Sequence, residues 1–417
     1  MPFRTRIMKR RPFTVISYVP LRMLIFQTKT RLCPLRKTGR TVMRDSQDLK
    51  SDATESWYTK DGPESDVVLS TKIRVARNLA TFPFPDRLRP QDKDRVRSIV
   101  FNAFGHLEGC EDYQAVAVQN LDPLGLRILE ERGSFPKIDN AESLGVILRG
   151  DGKISCVVNV IDHIRTSVYS SGLDVEETMH LSQKIDRGLQ SMLQFAASYD
   201  FGYLTASVLD AGSGMRISVR MHLPSLSYQG KIKSVMESLN EDSVMLKASF
   251  GSGGVDNVSG TGNRGMSLGS FYDICNIDCS GGSEIDQMTS ILASAKRLME
   301  LERQAREECK ENLPTIVSNY LYRSISLARW SSLVPLREAV SIISGVKWGK
   351  DMNLLVGIDD AELHALLYRI QEGHLTFVQK NGEFHFKKDI QDDDVKKNER
   401  LRALILQESF ENIKLNF

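Results

Sequence analysis

A segment in the first half of the chain ends an apolar run with three side chains of catalytic type. It reads CVVNVIDHIR, so that Asp162, His163 and Arg165 follow what the apolar residues predict to be a buried strand. A carboxylate, an imidazole and a guanidinium this close together can orient a substrate or move a proton. Val160 and Ile161 stand beside them and carry no reactive group. The segment therefore suggests an active-site edge from which two functional side chains are missing.

Basic residues recur beside other predicted strands. Arg74 follows a strand in STKIR, Arg216 follows a glycine turn in AGSGMR, and Lys72 and Lys247 take similar places. Each alone is typical of a solvated surface. If they converge with Arg165, they form a cationic clamp for a nucleoside triphosphate, because arginine binds phosphate oxygens bidentately. The sequence contains neither a Walker A motif nor the protein-kinase motif set.

The elements that must position these residues are mainly strands. Alternating patterns predict antiparallel strands in VVLSTKIRVARNL, YQAVAVQNL, SLGVILRG, ISCVVNVID, YLTASVLD, MRISVRMHL and SVMLKASFG. On such a strand Asp162 would share a face with Val160. Helical periodicity covers residues 90–106, 174–199 and 284–325. The glycine-rich residues 250–270 predict a functional loop.

These patterns predict an α+β fold with a central antiparallel sheet flanked by helices. We expect residues 45–310 to form this catalytic domain. Residues 311–417 are expected to form a mainly helical C-terminal domain, in which LTFVQKNGEFHFKK would be a hairpin turning at Asn-Gly.

Composition narrows the function classes. The chain has 417 residues, 41% hydrophobic and 26% charged, which is typical of a soluble globular protein. Residues 1–44 contain twelve basic residues and no acid, so the remainder carries 2 − 12 = −10. An acidic body argues against a nucleic-acid binder, and no segment is apolar enough to span a membrane. Six scattered cysteines favour a cytoplasmic setting, and we expect no metal site at Cys275 and Cys279.

The basic leader has two readings. Its lack of acids is typical of an organelle transit peptide or a disordered tail. Alternatively, translation starts at Met43 and residues 1–42 are not made.

Three segments together resemble a known family. ESDVVLSTKIRVARNL, NVIDHIR and GYLTASVLDAGSGMRISVRMHLP are similar, in this order, to the three main signature blocks of the phosphagen (ATP:guanidino) kinases. Within that family the likeness is to the bacterial protein-arginine kinases and runs from about Glu55 to Arg306, with a weaker echo beyond. The resemblance implies the phosphagen-kinase fold, with ATP and Mg²⁺ as cofactors.

The resemblance also implies a nucleotide site. Its residues would be Ser70, Thr71, Lys72, Ile73, Arg74, Arg165, Arg216, Ile217, Ser218, Val219, Arg220, Lys247, Ala248, Ser249, Phe250, Gly251 and Ser252. Lys72 and Lys247 replace arginines of the family pattern, and a histidine of the pocket falls at Arg132. The phosphate clamp thus stays largely cationic, and we expect ATP to bind.

The guanidino side departs from the family pattern. The block Asn-Glu-Glu-Asp-His is here Asn159 to His163, with Val160 and Ile161 replacing both glutamates. A further glutamate falls at Ser252, the reactive cysteine falls at Ser207, and the proline, threonine and asparagine after it fall at Val208, Leu209 and Asp210. A guanidinium is protonated near neutral pH and needs a carboxylate to take its proton. Asp162 is the one carboxylate left in the block, either a substitute base or a structural group bonded to backbone or His163.

Three functions therefore remain open. One is an ATP-dependent kinase of protein arginine, and another is a pseudokinase that binds nucleotide or acts as a scaffold. The third, which rests on charge alone, is a nucleic-acid protein that acts through the basic leader. The resemblance implies a zinc-finger activator, a chaperone–protease system and a homodimer as partners. It also implies a phosphoarginine-binding element at residues 398–403, but only Arg402 and Ala403 match it, so we expect an exposed amphipathic helix there.

Overall fold

One eight-stranded antiparallel sheet forms the centre of the computed structural model, which describes residues 56–138, 140–249, 267–280 and 282–416. In chain order its strands are β1 Val68–Arg77, β2 Tyr113–Ala117, β3 Gly145–Arg149, β4 Ile154–Val158, β5 Ile164–Ser171, β8 Met215–His222, β9 Val244–Ala248 and β10 Phe271–Asn276, while β6 Ala197–Ser198 and β7 Gly202–Tyr203 form a separate pair. The spatial order is β2-β3-β4-β5-β1-β8-β10-β9, so β1, β5 and β8 lie at the centre.

Helices cover the sheet and form most of the C-terminal region. They are α1 Pro90–Phe104, α2 Pro123–Glu131, α3 Val175–Gln190, α4 Pro224–Tyr228, α5 Ile232–Glu241, α6 Glu284–Asn312, α7 Pro314–Trp330, α8 Leu336–Asp351, α9 Asp360–Arg369, α10 Glu372–Asn381 and α11 Asp394–Ser409. The short strands β11 Leu355–Val356 and β12 Lys414–Leu415 pair with each other. The expected α+β fold, with a central antiparallel sheet and a helical C-terminal region, is confirmed.

At its centre, in β1, β5 and β8, the sheet is apolar on one face and polar on the other, whereas β3 and β4 carry buried apolar residues on both faces. Ile73 of β1 and Ile217 of β8 are fully buried in a core that includes Met179 of α3 and Leu298 of α6. Residues one position away in each strand point to the opposite face, because side chains alternate along a strand. The polar side chains of β1, β5 and β8 are therefore gathered on one surface by the same alternation that builds the core.

Local signals explain several element boundaries. Proline stands at the first position of α1, α2, α4 and α7, where its missing N–H costs no helical bond. Helix α6 begins with a capping box: Ser283 Oγ accepts from the Asp286 backbone N–H, and Asp286 accepts from that of Ser283.

Four sequence predictions about elements are wrong in part. The helix expected over 174–199 ends at Gln190, and the helix expected over 284–325 breaks at Leu313, where Pro314 starts a new one. The strand expected in YLTASVLD is only its first residue, followed by an irregular segment and a 3₁₀ turn. The hairpin expected in LTFVQKNGEFHFKK is instead helix α10, which ends at Asn381. Its apolar residues Leu375 and Val378 are three apart and buried, a helical spacing.

Strand β10 was not predicted from sequence. FYDICN alternates poorly, because Tyr272, Ile274 and Cys275 are all buried. Phe271 packs in one hydrophobic cluster and Ile274, on the opposite face, in another, so both faces of the strand are covered, which explains its largely apolar composition.

Residues 1–55 and 250–266 lie outside the described residues, so the predictions for the leader and for most of the glycine-rich loop are not tested. The predicted domain boundary at 310/311 stays a prediction, and it falls in the last turn of α6. Among the described residues no helix is both long and apolar enough to cross a bilayer.

Candidate active site

The polar face of the sheet carries basic side chains from two neighbouring strands. On β1 the residues Ser70, Lys72 and Arg74 alternate with buried ones, and on β8 the residues Arg216 and Arg220 do the same. The two strands are antiparallel, and Arg74 lies directly opposite Arg216. Arg74 therefore lies within β1 and does not follow the strand as predicted, whereas Arg216 follows a glycine turn as predicted and is the second residue of β8.

These residues line one cleft of about 340 Å³. Its wall is formed by Trp57, Ser70, Lys72, Arg74, Glu130, Glu131, Arg132, Gly133, Tyr169, Arg216, Ser218, Arg220, Ser249, Asp273, Tyr368 and Gln371. The predicted nucleotide residues Ser70, Lys72, Arg74, Arg216, Ser218, Arg220 and Ser249 are thus brought together, with Arg132 on the opposite wall. The size suits a small anionic ligand of nucleotide class.

Other predicted nucleotide residues point away from the cleft. Ile73, Ile217 and Val219 are completely buried in the core behind the sheet. Thr71 is also buried, and its hydroxyl donates to the Gly172 carbonyl at 2.8 Å. Their side chains are placed to support the neighbouring cleft residues and not to contact a ligand.

An aromatic wall closes one end of the cleft. The Trp57 ring stacks on the Tyr169 ring at a centroid distance of 5.4 Å, and Tyr368 lies 6.1 Å from Trp57. Lys72 Nζ lies 5.0 Å from the Tyr169 centroid, its cross-strand neighbour. Sequence reasoning missed these rings because they come from three distant segments. Because these rings pack on one another and each is 9% exposed or less, they offer a nucleobase an apolar wall and not open stacking faces.

Three arginines converge on the carboxylate of Asp210, and two of them, Arg74 and Arg216, line the cleft, whereas Arg165 and Asp210 do not. Arg74 Nη2 lies 2.7 Å and Arg165 Nη2 2.6 Å from Asp210 Oδ2, and Arg216 Nη2 lies 2.8 Å from Asp210 Oδ1. Burial alone would raise the pKa of Asp210, but Arg74, Arg216 and Arg165 outweigh burial and hold the pKa below its usual value. Asp210 is therefore ionised at neutral pH and is a weak base.

A second ion pair lies in the wall of the cleft. Arg220 on β8 stands directly opposite Asp273 on β10, and its Nε donates to Asp273 Oδ1 at 2.8 Å. The Ser249 hydroxyl donates to the same oxygen at 2.7 Å. Lys247 and Ala248 are exposed and do not line the cleft. Phe250, Gly251 and Ser252 lie outside the described residues.

The segment with the missing glutamates is a loop and not a strand. Strand β4 ends at Val158, and Asn159 has a φ of +63°, so the prediction that Asp162 shares a strand face with Val160 is wrong. Asn159 Nδ2 donates to the Lys93 carbonyl at 2.8 Å. Val160 packs partly against a hydrophobic cluster, while 43% of Ile161 is exposed.

Asp162 is fully buried and engaged on both oxygens. Its Oδ1 accepts from Asn78 Nδ2 and from the Ala206 backbone N–H, each at 2.8 Å. Its Oδ2 lies 3.1 Å from Arg165 Nε. These contacts join the 159–163 loop to the segment containing Ser207, and they orient Arg165 toward Asp210. Of the two roles considered for Asp162, a substitute base and a structural group, this geometry fits the structural one.

His163 is also a structural group. Its Nδ1 accepts from the Leu79 backbone N–H at 3.0 Å, and its own backbone N–H donates to Asn78 Oδ1 at 2.9 Å. Burial lowers the pKa of His163 to about 4, so the ring is neutral at physiological pH.

The segment after Ser207 is a short exposed turn. Val208 to Asp210 form one 3₁₀ turn, in which Val208 is 87% and Leu209 54% exposed. Only Asp210 in this turn is buried. The turn thus directs one charged side chain inward while its two neighbours face solvent.

The C-terminal Arg402 is buried, so the exposed helix face expected there is wrong at this position. Its Nε donates to the Ile370 carbonyl, its Nη1 to the Val334 carbonyl, each at 2.9 Å, and its Nη2 pairs with Glu372 at 2.8 Å. Arg402 joins α11 to α10 and is not free to bind phosphoarginine.

The described residues contain no cluster of three or more His, Cys, Asp or Glu side chains able to hold a metal ion. The chemistry of the cleft nevertheless fits a nucleotide, since cationic and aromatic groups share it.

Comparison with known proteins shows the family of the chain. The model of the ATP:guanido phosphotransferase C-terminal catalytic domain matches residues 95–305, about half of the chain. The chain belongs to this family.

Its relatives include the protein-arginine kinase of Pelotomaculum thermopropionicum, 26% identical over 368 residues that cover 87% of this chain and 98% of that protein. The protein-arginine kinase of Bacillus subtilis is 27% identical over 327 residues, covering 78% and 87%.

Solved structures share the fold. The duplicated taurocyamine kinase of Schistosoma mansoni with bound transition state analog components aligns with a TM-score of 0.51 at 18% identity, covering 66% of this chain and 38% of that one. Its substrate-free form aligns with the same score at 16% identity, covering 70% and 43%.

Proposed function

We propose that this protein is a pseudokinase of the guanidino phosphotransferase family, which binds ATP in the cleft and does not transfer its phosphate to arginine. The observation that carries the proposal is an asymmetry between the two halves of the site. The nucleotide half keeps its cations, whereas each carboxylate described in the guanidino half is already bonded to other groups.

The nucleotide half has the groups that a triphosphate needs. Lys72, Arg74 and Arg216 supply positive charge along one wall, and Trp57 and Tyr169 supply flat rings at one end. Phosphate oxygens accept strong charge-assisted bonds from guanidinium groups. When bound, ATP would bring the phosphoryl group, and Mg²⁺ would be held mainly by phosphate oxygens and water.

The guanidino half lacks an available base among the described residues. Asp162 accepts two hydrogen bonds and forms an ion pair with Arg165. Asp210 forms ion pairs with three arginines. Val160 and Ile161 cannot take a proton. Loss of one positioned general base lowers the rate of a reaction by about 10²–10⁴. Loss of both glutamates, at positions 160 and 161, therefore leaves little phosphotransfer activity.

A second candidate is an active kinase of protein arginine. The names of the relatives favour it, and a loop acid such as Asp256, outside the described residues, would have to act as the base. With either function, we expect the protein to be cytoplasmic and homodimeric. Its partner would be a zinc-finger activator or a chaperone–protease system, as the family resemblance implies.

Calorimetry of Mg²⁺–ATP binding to the full chain, followed by a phosphoarginine assay on an arginine-rich protein, tests the proposal. We expect wild type to bind and not to transfer. Arg216→Ala should lose binding, whereas Arg87→Ala, an exposed arginine outside the cleft, should keep it. Phosphoarginine formation by wild type above the level of Arg216→Ala would overturn the proposal. Absence of binding would leave only a scaffold.

A gain-of-function variant sharpens the result. Ile161 is exposed, so Ile161→Glu is accommodated without repacking and returns one carboxylate to the loop. Phosphate transfer to arginine by this variant, with none by wild type, would show that the site is inactive because the carboxylate is missing.

A further inference from the structure

We propose that Asp210 is an internal ligand of the arginine cluster Arg74, Arg165 and Arg216, and that it occupies the place where an oxyanion such as a phosphate group of the nucleotide binds. A ligand phosphate must then displace its carboxylate. The inference deepens the proposed function, since it rests on nucleotide binding in the same cleft.

The contacts are those expected of a bound anion. Each of the three guanidinium groups directs an Nη2 atom at the Asp210 carboxylate, at 2.6 to 2.8 Å. The arginines come from three different strands, β1, β5 and β8, and the order of the strands in the sheet brings them together at the Asp210 carboxylate. Carboxylate and phosphate groups are recognised by arginine in the same way, through short charge-assisted bonds.

The cluster needs an anion. Burial lowers the pKa of Arg74, and the neighbouring Arg165 and Arg216 lower it further, against the attraction of Asp210. Arg165 is also paired with Asp162, so three cations face two carboxylates and keep one net positive charge. A triphosphate arriving while Asp210 stays in place would meet little net attraction and a like charge.

The position of Asp210 in the fold allows it to leave. It lies on a one-turn 3₁₀ segment whose other residues, Val208 and Leu209, are exposed, and Gly212 and Gly214 with φ of +108° and +65° follow it. Little side-chain packing therefore resists movement of this turn, which is held mainly through its backbone, by the bond from the Cys279 N–H to the Leu209 carbonyl at 3.0 Å. Asp273, which lines the cleft and pairs with Arg220, is different, because it lies on β10 between two paired strands.

The pair Asp210→Asn and Asp273→Asn provides a matched test. Both remove one negative charge that is paired with an arginine of the cleft wall, but only the first frees three arginines. Binding of Mg²⁺–ATP and of inorganic tripolyphosphate to the full chain is measured by calorimetry. We expect Asp210→Asn to tighten binding of both ligands at least about tenfold, and Asp273→Asn to change it much less.

Thermal unfolding provides a second test that does not depend on calorimetry if Asp210→Asn is less stable than wild type. Asp210→Asn leaves the cluster without its anion, so its Tm should fall, and tripolyphosphate should raise that Tm more than it raises the wild-type Tm. A Tm of Asp210→Asn that tripolyphosphate does not raise beyond the wild-type shift would count against the inference even if calorimetry fails.

The outcomes separate this inference from the proposed function. Equal or weaker binding by Asp210→Asn, with wild type binding ATP, overturns the inference alone and makes Asp210 an organiser of the arginines. An equal gain in Asp273→Asn also overturns it, because general electrostatics then suffices. Tighter tripolyphosphate binding without any ATP binding supports the inference and removes the nucleotide function. No anion binding to any variant overturns both.

Discussion

At the scale of single residues, the chemistry of this site is decided by which partners each charged group has. Asp162, the only carboxylate left in its motif, accepts hydrogen bonds from Asn78 and Ala206 and forms an ion pair with Arg165. A group held in this way is a positioning residue, because it fixes a loop and an arginine and is completely buried from a substrate. His163 beside it is kept neutral by burial, which lowers its pKa to about 4.

Asp162→Ala tests this role. The change leaves Asn78 Nδ2, the Ala206 N–H and Arg165 without their acceptor, so we expect a loss of about 3–5 kcal/mol in the free energy of unfolding, measured with denaturant. Asp162→Asn keeps one acceptor oxygen and should lose less. The exposed control Asp392→Ala should be unchanged. A stable Asp162→Ala would show instead that Asp162 is not structural, and its role as a base would be reconsidered.

At the scale of elements, strand alternation separates the cleft from the core. Arg216, Ser218 and Arg220 face the cleft, while Ile217 and Val219 between them are completely buried. The family resemblance assigned the whole run to the nucleotide site. In the sheet only every second residue reaches it, since adjacent side chains on a strand point to opposite faces.

The neighbouring substitutions Ile217→Ala and Ser218→Ala test this division. Ile217→Ala opens a cavity behind the sheet and should cost about 2–5 kcal/mol of unfolding free energy. Ser218→Ala lies on the cleft side and should change stability by less than about 0.5 kcal/mol. Chemical denaturation of both variants measures the difference. A similar loss for both would mean that the two faces are not distinguished as the register requires.

At the scale of the whole molecule, the C-terminal helices help to build the cleft. Tyr368 at the end of α9 and Gln371 beyond it line the wall next to Trp57. A buried charge network fixes these helices: Lys347 Nζ on α8 lies 2.7 Å from Asp360 of α9, 3.2 Å from Asp351, and donates to the Ser65 carbonyl at 2.8 Å. The network connects the chain just before β1 with α8 and α9.

Lys347→Met should therefore loosen the C-terminal helices from the sheet. It leaves two carboxylates without their buried cation, and we expect about 3–5 kcal/mol of destabilisation in thermal or denaturant unfolding. If the helices hold the aromatic wall in place, ATP binding should weaken as well. Lys233→Met, at a position 88% exposed, is the matched control and should have no effect. Unchanged stability of Lys347→Met would contradict the linking role.

The sequence by itself determined the strands of the sheet's centre, the first helix, the family and the set of basic residues on β1, β5 and β8. These depend on local patterns: alternation, proline positions and short motifs, which act over a few residues. It did not determine β10, the helix α10 or the aromatic wall, because their environments are created by segments far away in the chain.

The tertiary structure alone decided what the charged residues do. Asp210 could be read from sequence only as a replaced asparagine, yet sheet order and register bring Arg74, Arg165 and Arg216 from three strands to its two oxygens. Similarly, nothing local distinguishes Asp162 as a catalytic base from Asp162 as a buried acceptor. The distinction depends on Asn78 and Ala206, which are 84 and 44 residues away. Partners so distant in sequence meet only when the sheet has formed.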